Sequence, residues 1–160
     1  MKKTLIIITF ISNLYGCEDV PKSRYSLYLV NNAKHSISFD YSLGAYNWKC
    51  YPDTLLPATD QHLIKNIKPG SSHSSDSRSK WEKIISDLPK DTMSVFIFHT
   101  DTLNKYAWEE VRKKYIILRR YDLSLEDLIG LYNKYGIPEI PYPPTEAMKN
   151  IKMYPPYVSE

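Results

Sequence analysis

The chain has 160 residues with 21 basic and 18 acidic side chains, a formal net charge of +3, and two cysteines. This length fits a single globular domain, and two cysteines exclude a fold held together by several disulfides. The weak positive balance also lacks the basic surplus with which nucleic-acid-binding proteins displace counterions from phosphates, so we expect no nucleic-acid partner.

The first residues have the pattern of a secretory signal. Lys2 and Lys3 precede a mostly apolar run from Leu5 to Ile11. A helix that spans a bilayer needs about 20 mostly apolar residues, so this run is too short to remain as a span and we expect its removal. The two lysines leave with it, and the remaining chain has 19 basic and 18 acidic residues, a net charge of +1.

The end of this signal resembles the lipobox of bacterial lipoproteins. An aliphatic residue, Leu14, lies three positions before Cys17, and the small Gly16 lies one position before it. The resemblance implies that residues 1–16 are a signal peptide and that the Cys17 thiol carries acyl chains such as palmitate. Two or more chains hold a protein on a bilayer almost permanently, so we expect Cys17 to be its membrane anchor. The alternative is an ordinary signal peptide cut nearby, which leaves Cys17 as a free thiol.

The rest of the chain divides by composition into three parts. Residues 17–23 contain the lipidated cysteine and a short polar tether, of which the last six residues reach about 20 Å at most. Residues 24–136 form the predicted globular domain. Residues 137–160 contain six prolines, which predicts an extended strap, rich in proline and tyrosine, packed on that domain.

The first part of the domain has the alternation of β-strands. Tyr25–Val30 and Ile37–Tyr41 predict two strands, and the turn-forming residues Asn31–Lys34 between them predict a hairpin. Leu63–Ile67 predicts a further strand. The serine-rich residues 71–79 predict a mobile loop.

Helices and strands alternate in the second part. Ser79 and Glu82 have capping-box spacing at the start of a helix, and Met93–Phe98 is apolar enough for a central strand buried on both faces. A second helix is expected between residues 103 and 115, followed by a strand that begins near Ile116. If these two strands are parallel neighbours, their crossover should be right-handed. Residues 124–127 have capping-box spacing and predict a third helix.

Together these elements predict an α+β fold that is rich in β-structure. We expect about five to six strands in one sheet or a β-sandwich, with two or three short helices in the connections. The alternative is an all-β sandwich of the immunoglobulin type.

Several segments resemble a group of small uncharacterised lipoproteins from Bacteroides-like bacteria. The segments are Asn66–Gly70, Phe96–Phe98, Ile117–Leu128, Tyr142–Thr145 and Met153–Tyr157. The resemblance covers most of the chain after the signal and implies a lipoprotein of a Gram-negative bacterium. It implies no activity and no cofactor, because the group has none to carry over.

A cluster of aromatic residues is the candidate binding site. Tyr46, Trp48 and Tyr51 lie close together in a predicted loop. Aromatic faces on loops stack on sugar rings or anchor protein partners, because they bury large areas with few rotamers. The alternative is that these rings fold back over the sheet as a lid.

Motifs for catalysis and for metal binding are missing from the sequence. His99 and Asp101 follow the predicted central strand and could form an acid/base pair, which leaves a small envelope hydrolase as an alternative. No nucleophile, metal-ligand or nucleotide-binding motif accompanies them. We therefore assign no catalytic residue, metal or cofactor.

The expected function is a non-catalytic binding or accessory module of the cell envelope, with a glycan or an envelope protein as its partner. A purely structural lipoprotein is a further alternative. The bacterial group implies the outer membrane. In its members, acidic residues just after the lipidated cysteine resemble a surface-export signal, and Glu18 and Asp19 stand in those positions, so we expect the domain at the cell surface rather than in the periplasm.

Overall fold

The computed structural model describes residues 24–43 and 51–158. They form eight strands in two sheets and four short α-helices. This architecture confirms the predicted α+β class, with more strands and helices than expected. Cys17, Tyr46 and Trp48 lie outside the described residues.

The elements alternate along the chain. The strands are β1 (Tyr25–Asn31), β2 (Ile37–Tyr41), β3 (Ile64–Ile67), β4 (Ser72–Ser77), β5 (Thr92–His99), β6 (Arg119–Ser124), β7 (Glu139–Tyr142) and β8 (Lys152–Tyr154). The helices are α1 (Trp81–Ser86), α2 (Thr100–Lys105), α3 (Trp108–Lys114) and α4 (Leu125–Gly130). None of these helices is long and apolar enough to cross a bilayer.

The strands form a three-stranded and a five-stranded sheet. The smaller sheet has the order β4-β1-β7, in which β1 pairs antiparallel with β4 and parallel with β7. The larger sheet has the order β3-β2-β5-β6-β8, and all of its pairs are antiparallel. Residues 137–158 therefore supply one strand to each sheet.

One hydrophobic core is shared by the two sheets. Leu27 and Leu29 of β1 belong to it together with Met93, Val95 and Ile97 of β5, and all five are buried. Phe96 and Phe98, which point to the opposite side of β5, belong to a second cluster with residues of α2 and α3. Strand β5 is thus buried on both faces and central in its sheet, as its apolar run predicts.

The hairpin predicted from β1 and β2 is wrong, because the two strands belong to different sheets. The buried side chain of Asn31 holds the crossover between them. Its amide nitrogen donates to the carbonyl oxygens of His35 and Ile67 at 2.9 and 2.8 Å, and its side-chain oxygen accepts from the Ala33 N–H at 3.0 Å. Asparagine therefore binds two segments together here instead of turning the chain back.

The mobile loop predicted at residues 71–79 is also wrong. Six of these residues form β4, which pairs with β1 from Tyr25↔Ser77 to Val30↔Ser72. The strand lies at the edge of the smaller sheet, where polar side chains face water without penalty. Ser26 of β1 donates a cross-strand hydrogen bond to the Asp76 carboxylate at 2.8 Å, and Ser74 donates to the same carboxylate from within β4 at 2.9 Å.

Of the two capping boxes predicted from the sequence, the structure confirms one. The Ser124 and Asp127 capping box is confirmed at α4, where each side chain binds the backbone N–H of the other residue. At α1 the cap is Lys80 rather than Ser79, and no side chain caps the helix. The second predicted helix is divided into α2 and α3 by the extended backbone of Tyr106. Because β5 and β6 are antiparallel, the crossover considered for them does not arise.

Candidate binding surface at the edge of the five-stranded sheet

One face of the five-stranded sheet lies opposite the shared core, and we call it the second face. Alternation along a strand places Asp40 of β2, Phe96 of β5 and Arg120 of β6 on this face. The strand pairing extends this row to Tyr154 of β8. Helices α2 and α3 pack on part of the second face, around Phe96 and Phe98.

A buried polar network lies in the middle of the second face. The Ser94 hydroxyl donates to Asp122 Oδ1 at 2.7 Å, and Asp122 Oδ2 lies 3.2 Å from Arg120 Nη2. Arg120 Nη1 in turn donates to the Tyr115 hydroxyl at 2.9 Å. Arg120 and Asp122 are only 8% and 3% exposed. The arginine therefore has a fixed orientation between Asp122 and the Tyr115 hydroxyl.

Tyrosine rings continue this network to the surface. The Tyr154 ring centroid lies 6.1 Å from that of Tyr115, and Tyr154 is 51% exposed. The Lys152 ammonium lies 5.0 Å from the centroid of the Tyr51 ring and donates to the Tyr51 hydroxyl at 3.4 Å. Tyr51, Tyr115, Lys152 and Tyr154 together form what we call the tyrosine surface. It lies along edge strand β8 and places the half-exposed Tyr154 ring near the exposed Lys152.

The chain that leaves β8 is fixed from the core side of the sheet. Arg119 Nη1 donates to the carbonyl oxygens of Pro155 and Pro156, the second at 3.1 Å. Met153, between the two exposed β8 residues, is buried in the shared core. Tyr154 is therefore anchored on both sides by its neighbours in sequence, so its exposed ring is presented on a rigid backbone.

Asp40 is a second buried carboxylate on this face. Its Oδ1 accepts the Tyr41 backbone N–H at 2.8 Å, and its Oδ2 has no hydrogen-bond partner. Burial raises the pKa of Asp40 from 3.8 to about 6, against smaller opposing effects of the Tyr41 N–H and the charge of His62. At neutral pH the fold therefore contains a poorly solvated negative charge in the same row as Arg120.

Of the three aromatic residues predicted to bind, Tyr51 is described and belongs to the tyrosine surface. Tyr46 and Trp48 fall within residues 44–50, outside the described part of the chain. Their place relative to Tyr51 stays a prediction.

The structure brings His99 and Asp101 together as the first residues around α2. His99 Nδ1 accepts the Asp101 backbone N–H at 3.2 Å and so caps the helix, while the Asp101 carboxylate lies 3.9 Å from the same nitrogen. The His35 ring stacks on His99 with centroids 4.4 Å apart. Burial, followed by the charge of His99, lowers the pKa of His35. The helix cap and the stacking account for the position of His99.

Sequence reasoning missed Tyr115, Arg120, Asp122, Lys152 and Tyr154 as members of one site. The alternation of Lys152, Met153 and Tyr154 is a strand signal, but three residues are too few to stand out in a proline-rich tail. Strand register brings Arg120 and Asp122 beside β8, and Tyr115 reaches the site from the C-terminal end of α3.

Other proteins do not identify this surface. Comparisons with protein-family models, with curated proteins and with solved structures found no match. Within residues 24–43 and 51–158, no group of three or more histidine, cysteine, aspartate or glutamate side chains could hold a metal ion.

Proposed function

We propose that this chain is a lipoprotein of the outer membrane, anchored by lipids on Cys17, whose domain binds a glycan on the tyrosine surface. The anchor is supported by the short apolar signal and the lipobox-like residues before Cys17. The observation that carries the binding role is the half-exposed Tyr154 ring beside Tyr115 and Lys152. This ring lies on edge strand β8, and Arg119 binds the chain that follows the strand.

The chemistry of the tyrosine surface favours a sugar chain over a protein. Aromatic faces stack on the C–H faces of sugar rings, while hydroxyl and ammonium groups bind sugar hydroxyls. Protein hot spots, by contrast, lie in water-excluded pockets surrounded by further contacts. Here the exposed Tyr154 is accompanied by the exposed Lys152, a composition that suits a wet, polar ligand.

The buried groups beneath the surface support binding without catalysis. Arg120 and Asp122 lie in ion-pair contact, and Asp122 also accepts from Ser94. A general acid or base must reach the substrate proton that it transfers, whereas these groups are only 8% and 3% exposed. They serve to hold the Tyr115 hydroxyl, to which Arg120 donates, in place.

The proposed location is the cell surface. Glu18 and Asp19, directly after the anchor, support export across the outer membrane. There the tyrosine surface would meet glycans of the cell's surroundings or of its own coat.

The Tyr154→Ala variant is expected to bind its glycan about tenfold more weakly, because it loses one stacking face. Purified protein is first applied to a glycan array, and the best ligand is then titrated by calorimetry. Tyr154→Trp should keep most of the affinity, because it keeps a flat ring. Tyr135→Ala is the matched control, since Tyr135 is exposed but lies outside the tyrosine surface.

Equal affinity of Tyr154→Ala and the unmodified protein would refute the proposed site. Turnover of a glycan that disappears in His99→Ala would support the hydrolase instead. If the tyrosine surface crosslinks to an envelope protein and no glycan binds on the array, the partner is a protein and the glycan proposal is wrong.

A further inference from the structure

A second surface lies where the tether joins the domain. Arg24, the first described residue, lines a groove of about 260 Å³ between the start of β1, the start of α1 and the segment after α4. The other lining residues are Tyr25, Ser26, Lys80, Trp81, Glu82, Tyr132, Gly136, Ile137 and Pro138. This groove is on the three-stranded sheet and its helices, separate from the tyrosine surface.

Two exposed cations line this groove together with Glu82, and a third lies nearby in the sequence. Arg24 and Lys80 are both exposed. The Glu82 carboxylate accepts the Tyr132 hydroxyl at 2.7 Å, and hydrogen bonds to Glu82 lower its pKa. Lys134, just before the groove segment, holds its ammonium 4.9 Å from the centroid of the Tyr135 ring. The charge of Lys80 contributes to lowering the pKa of Glu82, and that of Arg24 contributes to lowering the pKa of Asp76, so this surface has three exposed cations beside two acids.

Exposed apolar side chains accompany these cations. Tyr135 is 74% exposed and Ile129 is 53% exposed. Among the described residues, five large hydrophobic side chains are more than half exposed, and two of them fall within residues 129–137. Lysines beside exposed aromatic rings are typical of surfaces that lie at the headgroup level of a membrane.

The groove lies at the end of the domain that follows the membrane anchor, and this position favours phospholipids as its ligands. Six residues separate Cys17 from Arg24, and they reach about 20 Å when fully extended. With lipids on Cys17, the end of the domain that carries Arg24 is the one held nearest the bilayer. The phosphate groups of phospholipids are the complementary charges available there.

We infer that the domain lies on the membrane, with phospholipid phosphates bound by Arg24, Lys80 and Lys134 and with Tyr135 at headgroup level. This inference rests on the anchor of the proposed function but not on the glycan. It leaves the tyrosine surface, on the other sheet, free for its ligand.

The test uses the full lipidated protein in vesicles, followed by amide hydrogen exchange. Vesicles of phosphatidylcholine are compared with vesicles that also contain phosphatidylglycerol. Amides in residues 80–85 and 131–138 should exchange more slowly in the anionic vesicles, and 0.5 M salt (roughly a 4 Å screening length) should remove the difference.

The Lys80→Ala/Lys134→Ala variant should weaken this contact by about fivefold for each lysine removed. Lys105→Ala/Lys113→Ala is the matched control, because it removes the same charge from exposed lysines of α2 and α3. This control should keep the slowed exchange.

Slowed exchange that is lost in the α2 and α3 variant, but kept in the groove variant, would overturn the inference. If inorganic phosphate slows the exchange of the same amides in protein on phosphatidylcholine vesicles, the ligand of the groove is a soluble phosphate rather than the membrane. Protein that floats with the vesicles without slowed exchange would refute the headgroup contact alone. Protein that does not float would refute the anchor, and this contact with it.

Discussion

The Asp122→Ala variant is expected to lose about 3 to 5 kcal/mol of unfolding free energy. The substitution leaves the guanidinium of Arg120, which is only 8% exposed, without its counterion. The Ser94 hydroxyl also loses the carboxylate to which it donates at 2.7 Å. Urea denaturation followed by circular dichroism measures the change.

Asp60→Ala is the matched control for this variant. Asp60 also pairs with a cation, Lys65, at 2.8 Å, but both side chains are about half exposed. Exposed ion pairs contribute less than about 1 kcal/mol, so this variant should be nearly as stable as the unmodified protein. Equal losses for Asp122→Ala and Asp60→Ala would contradict the burial argument.

The Asp40→Asn variant should be more stable than the unmodified protein at pH 7.5, by up to about 3 kcal/mol. The pKa of Asp40 is raised from 3.8 to about 6 by burial, so the folded state binds a proton more tightly than the unfolded state does. The destabilising charge is fully present above pH 6 and absent below pH 3.8. Asparagine keeps the shape of the side chain without that charge.

The gain in Asp40→Asn should therefore shrink as pH falls from 6 and vanish near pH 4, where aspartic acid and asparagine are both neutral. Unfolding free energies from urea titrations across this range measure it. Asp76→Asn is expected to change stability in the opposite direction, because hydrogen bonds from Ser26 and Ser74 lower the pKa of Asp76. A lower free energy of unfolding for Asp40→Asn than for the unmodified protein at pH 7.5 would contradict the prediction.

The sequence predicts elements whose signals are local. Met93–Phe98 is almost continuously apolar, which is typical of a strand in a sheet whose two faces are both covered by other layers. The α4 cap needs only Ser124 and Asp127, three residues apart, so it too could be recognised from the sequence.

Elements that depend on distant partners could not be predicted. Asn31 has the residue type of a turn, but its side chain binds Ile67, 36 positions away. The serines of β4 have low β-propensity, and they form a strand because β1 offers them a hydrogen-bonding edge. In both cases tertiary contacts override the local preference.

The candidate site shows the same division. Tyr51 was recognisable as part of an aromatic cluster. Tyr154 joins it because β8 pairs with β6, which places Tyr154 opposite Arg120 across 34 positions of sequence. A strand of three residues gives no period that would reveal this register.

The most direct test of the central claim, a lipid anchor on Cys17, is the labelling of cells with radioactive palmitate. The unmodified protein should incorporate palmitate and remain with the outer membrane through a high-salt wash. Cys17→Ser should take up no label, and it should be released or keep its uncut signal; Cys50→Ser, at the other cysteine, should behave as the unmodified protein does. Palmitate uptake and membrane retention unchanged in Cys17→Ser would contradict the account.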